Sequence, residues 1–315
     1  MVVVFEEETL FELIDIIFMI SKFKLVGLSS KRGYATLLML IGSTVISFAG
    51  LVVRNIETSD NWQINFYRAI AFGLAISIVL FFRYGKTAPM QLKGIGLQGV
   101  LAAIFLASAS ISFLQAITNT TVAATTFTLS SIPFLTAIMA WLFLGEHINK
   151  PTVLSMVIAA IGISLMFVQG FGTVSIYGNF MALICAIGFS SYATMIRRNN
   201  RSEMLPTLIL SNLIIMLVAL ILTWDDLLIS WNDLVCCFIL GGLLSATVNT
   251  LFIIAAKHLF AAELTLFMLL EFTLGPIWVW IFVNEVPTIW TLVGGSIVIL
   301  SVFVKSVLEL RNVRS

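Results

Sequence analysis

The sequence predicts an all-α membrane protein with ten transmembrane helices arranged as two inverted five-helix repeats. Three observations carry this expectation. First, the 315 residues are 60% hydrophobic and only 10% charged, with a mean hydropathy of +1.07. Soluble domains carry roughly 25% charged residues, so the chain is read as a polytopic membrane protein. Second, the apolar residues fall into ten runs of about membrane length, which helices of roughly 20 residues would span. Third, the chain echoes itself. Shifted by 139 positions, Ala123 falls on Ala262, Thr126 on Thr265, Trp141 on Trp280 and Glu146 on Glu285. Shifted by 144, Ser47 falls on Ser191, Ala49 on Ala193 and Arg54-Asn55 on Arg198-Asn199.

The ten segments are expected at Tyr34–Val53, Gln63–Phe82, Gly96–Ile117, Val122–Phe143, Thr152–Val168, Tyr177–Ile196, Leu205–Leu222, Leu234–Ala255, Ala262–Val283 and Thr288–Val304. Unpaired backbone groups are not tolerated against lipid, and these runs do not alternate as barrel strands would, so helices are the expected form. The stretch Met1–Ile20 carries Glu6, Glu7, Glu8, Glu12 and Asp15. It lacks the basic start and cleavage site of a signal peptide. It reads either as an interfacial helix or as sequence upstream of a start at Met19.

Basic residues set the orientation. Lys22, Lys24, Lys31 and Arg32 precede the first segment. Arg83, Lys86, Lys93, Lys150, Arg197, Arg198, Arg201 and Lys257 fall in alternate loops, and Lys305, Arg311 and Arg314 in the tail. The opposite side has Arg54 against Asp60, Asp225, Asp226 and Asp233. Both termini are therefore expected in the cytoplasm, in an inner or plasma membrane. The expected domains are an N-terminal segment 1–33, repeats 34–170 and 171–307, and a tail 308–315. Five helices per repeat is odd, so the second repeat enters the bilayer inverted. Inverted repeats that rock about a midplane site are the architecture of secondary transporters.

The residues that stand out chemically are polar groups at depth. Glu271 lies near the middle of its segment, where a carboxylate costs about 2.5–3.5 kcal/mol even on the lenient insertion scale. It reads either as a substrate- or proton-binding group or as a structural carboxylate bonded to neighbouring Ser, Thr or Asn. Arg68 reads either as a side chain snorkelling to the headgroups or as a gate or anchor for an anionic substrate group. Gln115 and Asn249 are costly to bury. Ser131, with Thr128 and Ser130, precedes Pro133, and Tyr192 follows Ser190 and Ser191. Glu263 is expected to meet Lys257 or the headgroups, and Trp141, Trp278 and Trp280 to join an interfacial aromatic belt. Cys185, Cys236 and Cys237 sit in apolar runs and suggest neither a disulfide framework nor a zinc site. No P-loop, H-E-x-x-H or G-x-S-x-G motif is present, so no cofactor, no metal and no enzymatic activity are expected. The net charge of +1 gives no reason to expect nucleic acid.

These features resemble the paired EamA domains of the drug/metabolite transporter superfamily. The resemblance rests on W-L-F-L-G-E ending at Glu146, W-I-F-V-N-E ending at Glu285, L-L-E-F-T-L-G-P-I-W around Glu271 and N-F-Y-R-A-I-A around Arg68. It covers about Tyr34 to Lys305. It implies a secondary active transporter, an exporter or exchanger, of a small organic metabolite such as an amino acid or a drug-like compound. Transport would be driven by a proton gradient or by the solute's own gradient, with the bilayer the implied setting. A nucleotide-sugar or S-adenosylmethionine carrier of the same superfamily is the alternative. An intramembrane enzyme or a channel is the rival from another class. The resemblance also implies a cavity among the first, third, fourth, sixth, eighth and ninth helices. In the family a proline often follows the ninth-helix glutamate directly, whereas here Glu271 and Pro276 are separated.

Overall fold

The computed structural model describes residues 31–53, 55–56, 58–88, 91, 94–119, 125, 128–166, 175–199, 203–283 and 289–311. The stretch Met1–Ile20 and the repeat echoes at Arg54 and Glu285 lie outside these. The described secondary structure is helical throughout. Six helices are long and apolar enough to cross a membrane: α1 (Lys31–Val53), α2 (Asn61–Thr87), α3 (Gly96–Asn119), α6 (Ile176–Arg198), α8 (Trp231–Ala255) and α9 (Ala261–Phe282). Four further helices carry shorter apolar stretches: α4 (Ile132–Leu144), α5 (Lys150–Met166), α7 (Pro206–Leu222) and α10 (Ile289–Arg311), whose apolar stretch is Leu292–Val304. The chain is a multi-pass membrane protein. The order of the elements follows the ten apolar runs.

Helix ends follow local chemistry. Asp60 caps α2, accepting from the Trp62 amide, while Gln63 Oε1 accepts from the Asp60 amide. That reciprocal arrangement satisfies two amides that helix geometry leaves open. Gly145, at φ 65°, ends α4 in the left-handed conformation that costs glycine nothing.

Three of the membrane-length helices are irregular. A turn at Ser47–Phe48 interrupts α1. A break at Met268 splits α9 into Ala261–Phe267 and Leu269–Val283. A π segment, Ile239–Ser245, lies inside α8. The break in α9 precedes Glu271 and needs no adjacent proline. The Glu271 amide donates three residues back, to the Met268 carbonyl, at 3.1 Å.

The helices pack in recurrent pairs: α3 on α6, α1 on α8, α2 on α7, α4 on α9 and α5 on α10. The α5–α10 pair is antiparallel. Gly162 faces the Gly294 carbonyl, and Ser301 donates to the Ser155 carbonyl at 2.8 Å. A side chain at 162 would meet that carbonyl at 2.7 Å, so glycine sets the approach of these two helices.

The two ends of the bundle differ in charge. At the end where α1 begins, the Lys31 end, lie Arg32, Arg83, Lys86, Lys150, Arg197 and Lys257. At the opposite Asp233 end, Asp233 is 0% exposed. It accepts from the hydroxyls of Thr58 and Ser59, each at 2.7 Å, and from the Thr58 amide at 3.2 Å. Gln63 and Tyr67 donate to backbone carbonyls of residues 226–228, so the start of α2 grips the connection between α7 and α8.

Candidate functional site

A cavity of about 160 Å³ lies inside the helix bundle. Its walls come from α1, α2, α3, α4, α6, α7, α8 and α9. Most of the lining is apolar. Ser110, Ser211, Ser245, Asn249 and Thr265 add hydroxyls and an amide. Arg68 and Glu271 add the ionisable groups.

Arg68 sits on α2, 9% exposed. Its Nη2 donates to the hydroxyl of Ser110 on α3 and, at 3.2 Å, to Asn65 Oδ1 one turn earlier. Of the two readings of Arg68, snorkelling to the headgroups is therefore corrected. The phase of α2 turns this side chain inward, and two polar groups hold it there. Backbone packing fixes its place as well. Gly241 lies in the π segment of α8, and a Cβ there would come within 2.2 Å of the Arg68 carbonyl oxygen. Only glycine lets the two backbones approach this closely. The widened turn is the kind of helical irregularity that recurs at functional sites.

Glu271 follows the break in α9, and its side chain makes no hydrogen bond or ion pair among the described residues. Arg68 has no carboxylate partner among them either. Two turns beyond Glu271, α9 is fixed from the α1 side. Trp278 Nε1 donates to the Ser47 hydroxyl at 2.7 Å, and the indole stacks on Phe48 with centroids 4.4 Å apart. Trp278 thus clasps the turn of α1 instead of joining an aromatic belt, while Trp141 and Trp280 are exposed on the bundle surface. Asn249 lines the cavity. Its Nδ2 donates to the Ser245 carbonyl at 2.9 Å, and its Oδ1 has no partner among the described residues.

The other expected site residues lie outside the lining. Gln115 is buried near the Asp233 end of α3, where Oε1 accepts from Asn119 at 3.4 Å. The Ser131 hydroxyl donates to the Thr128 carbonyl at 2.6 Å, a local bond at the start of α4. Tyr192 is 0% exposed and packs between aromatic rings. Sequence reasoning missed Ser110, Ser211, Ser245 and Thr265. Each is a small polar residue in an apolar helix. That signal is weak, because serine and threonine commonly bond their own helix backbone.

Glu263 meets neither Lys257 nor the surface. It is 1% exposed and pairs with Arg32 at 2.7 Å. Lys257 lies instead 3.6 Å from Glu203. Arg32 stands 231 residues from Glu263 in sequence, beyond any local rule.

Residues 33–168 match the model of the EamA-like transporter family. This stretch is an EamA domain. The match is consistent with an EamA domain of the drug/metabolite transporter superfamily, whose EamA members are transporters rather than enzymes. The EamA domain contributes Arg68 and Ser110 to the cavity, while Asn249 and Glu271 come from the chain beyond the matched residues. A crystal structure described only as that of a protein is similar to this chain, with a TM-score of 0.73 at 15% identity. It covers 89% of this chain and 99% of its own. At that identity the likeness speaks for the fold. No curated protein matches the chain.

Proposed function

We propose that the protein is a secondary transporter that carries a compact zwitterionic solute, an amino acid or close relative, by alternating access. One observation carries the substrate reading: Arg68 and Glu271 line one cavity and neither has an ion-pair partner among the described residues. Charges buried without partners are costly. A solute bearing one group of each sign would neutralise both. Arg68 would take the carboxylate, and Glu271 the ammonium group or a coupling proton. The apolar walls would receive the side chain. The cavity volume, about 160 Å³, is close to the ~150 Å³ that accepts a benzene-sized molecule. That favours an amino acid over a nucleotide sugar or S-adenosylmethionine.

The packing supports two inverted repeats, 34–170 and 171–307. Exchanging α1–α5 for α6–α10 carries the α3–α6 contact onto α8–α1 and the α2–α8 contact onto α7–α3. It carries α4–α6 onto α9–α1 and leaves the α2–α7, α4–α9 and α5–α10 pairs in place. The basic Lys31 end fits the cytoplasm of an inner or plasma membrane, and the acidic Asp233 end the outside.

Counterflow in proteoliposomes tests the function, because a carrier preloaded with unlabelled solute produces an overshoot of labelled solute. Labelled neutral amino acids should give it. Overshoot with organic cations or anions alone, and never with zwitterions, would refute the substrate reading. Cysteines placed at Asp225 and Arg201 should label from opposite faces. Labelling from one face would refute the topology.

A further inference from the structure

Three helices show the same order of layers from the cavity toward the Lys31 end. On α6, Cys185 and Phe189 line the cavity, Tyr192 lies one turn further, and Arg197 follows. On α8, Ser245, Val248 and Asn249 line the cavity, Phe252 lies one turn further, and the Ala256 carbonyl follows. On α9, read backward from Glu271, Thr265 lines the cavity and Glu263 and Phe260 follow.

The first layer is aromatic. Tyr192 and Phe252 stack at 5.7 Å with an interplanar angle of 23°, and Phe189 meets both, at 5.6 and 5.7 Å. The second layer is ionic. Arg32 pairs with Glu263 at 2.7 Å, and Arg197 Nε with Glu146 at 2.6 Å. Both carboxylates also hold the start of α9. Glu263 accepts from the Phe260 amide at 3.2 Å and Glu146 from the Ala261 amide at 3.3 Å. The Phe260 ring meets both guanidinium groups, with its centroid 5.2 Å from Arg32 Cζ and 5.4 Å from Arg197 Cζ. Each ion pair joins a residue before 150 to one after 190, so each ties the first half of the chain to the second.

Within the aromatic layer, one group is out of keeping. The Tyr192 hydroxyl is buried and has no hydrogen-bond partner among the described residues. Phenylalanine would stack between Phe189 and Phe252 equally well without that penalty. A buried hydroxyl left unpaired destabilises the arrangement that buries it. We infer that the two layers form the cytoplasmic gate of the transporter and that Tyr192 is its release element, its hydroxyl unpaired while the gate is shut and satisfied once water or solute enters. The ionic layer opposes that bias by holding α9, the helix that carries Glu271, in place. The inference rests on the alternating-access reading but not on the identity of the solute.

Cys185 provides a reporter, because it lines the cavity one side of the aromatic layer. The test uses the full chain with Cys236 and Cys237 replaced by alanine, in oriented membrane vesicles. A membrane-impermeant methanethiosulfonate is applied from either face, and labelling of Cys185 is followed over time. Tyr192→Phe should slow labelling from the cytoplasmic face about fivefold, since it relieves the penalty of the shut state. Arg197→Gln should speed it by a similar factor. If Cys185 is too slow to label, Ser245→Cys repeats the measurement from the α8 wall. Unchanged or faster cytoplasmic labelling in Tyr192→Phe, with the protein folded by size exclusion, would overturn the inference. So would slowing from both faces equally, which would mark a general loss of motion. Labelling requires no solute, so failure of the zwitterion reading in counterflow would leave this result standing, and the reverse.

Discussion

Gly241→Ala is the sharpest test of how the cavity is built. The new Cβ would lie 2.2 Å from the Arg68 carbonyl oxygen and 2.9 Å from Arg68 Cγ. Ordinary van der Waals contact begins near 3.4 Å, so the π segment of α8 and α2 must part by about 1 Å. The nearest clash is with backbone, which no rotamer change relieves. Overpacking of this kind costs about 1–3 kcal/mol. The displacement falls on the residue that carries the guanidinium, and its bond to Ser110 would lengthen with it. A misplacement of about 1 Å can cost roughly 100-fold in a reaction that depends on geometry, and binding of a small charged group is comparably sensitive. The expected result is a lowered melting temperature in detergent together with at least tenfold weaker counterflow at matched expression. Gly242→Ala is the control, because a Cβ there meets the Ala71 carbonyl oxygen at 3.4 Å. It should change both readouts far less. Melting and counterflow of Gly241→Ala equal to those of the parent protein would refute the argument that this glycine sets Arg68.

Four further outcomes are expected. Glu271→Gln should fold normally, with counterflow lost or made insensitive to pH between about pH 6 and 8; wild-type behaviour across that range would make the carboxylate structural. Arg68→Lys should weaken solute affinity about tenfold at unchanged expression, because an ammonium group cannot reproduce the planar fork toward a carboxylate, and unchanged affinity would argue against an anion site. Asp233→Ala leaves two hydroxyls and an amide without their acceptor and should destabilise the protein by roughly 2–4 kcal/mol, read as a fall in melting temperature. Burial, and then the charges of Lys31, Lys257 and Arg197, hold the His258 imidazole below its ordinary range. Unfolded His258 therefore gains its proton first as pH falls, so its contribution is intact above about pH 6.5 and is lost below it; His258→Gln should flatten the acid side of the melting profile.

Much of the fold was legible because bilayer physics is severe. Apolar runs near membrane length have few alternatives to helix, and the described helices follow them to within a few residues at most ends. The irregular places were less legible. The turn at Ser47–Phe48 and the break at Met268 contain neither proline nor glycine, so no local signal marks them. The turn in α1 is held by Trp278, which lies on the same helix as the break but ten residues beyond it. Side-chain direction was the other gap. Hydropathy places Arg68 along its helix but does not say which way that helix is turned. The inward answer depends on Ser110 of another helix and on the close approach of Gly241. Tyr192 fell the other way: it was singled out for its polarity, and its ring packs in an aromatic layer one turn beyond the cavity.

The charges outside the cavity show what this chain does when it can pair a group. Arg32 finds Glu263 and Arg197 finds Glu146, each across the two halves of the sequence. Arg83 and Lys257 both approach Glu203. Buried Asp233 draws three donors. Pairing is therefore within reach of this fold even for residues hundreds of positions apart. Against that pattern, Arg68 and Glu271 share a cavity and remain without ionic partners among the described residues. A direct ion pair between them would relieve two desolvation costs at once, yet none forms. A solute carrying both charges offers the same relief while it is bound and withdraws it on release. Binding energy then comes from the unsatisfied state of the empty site, and the solute that fills it best is the one that completes both pairs.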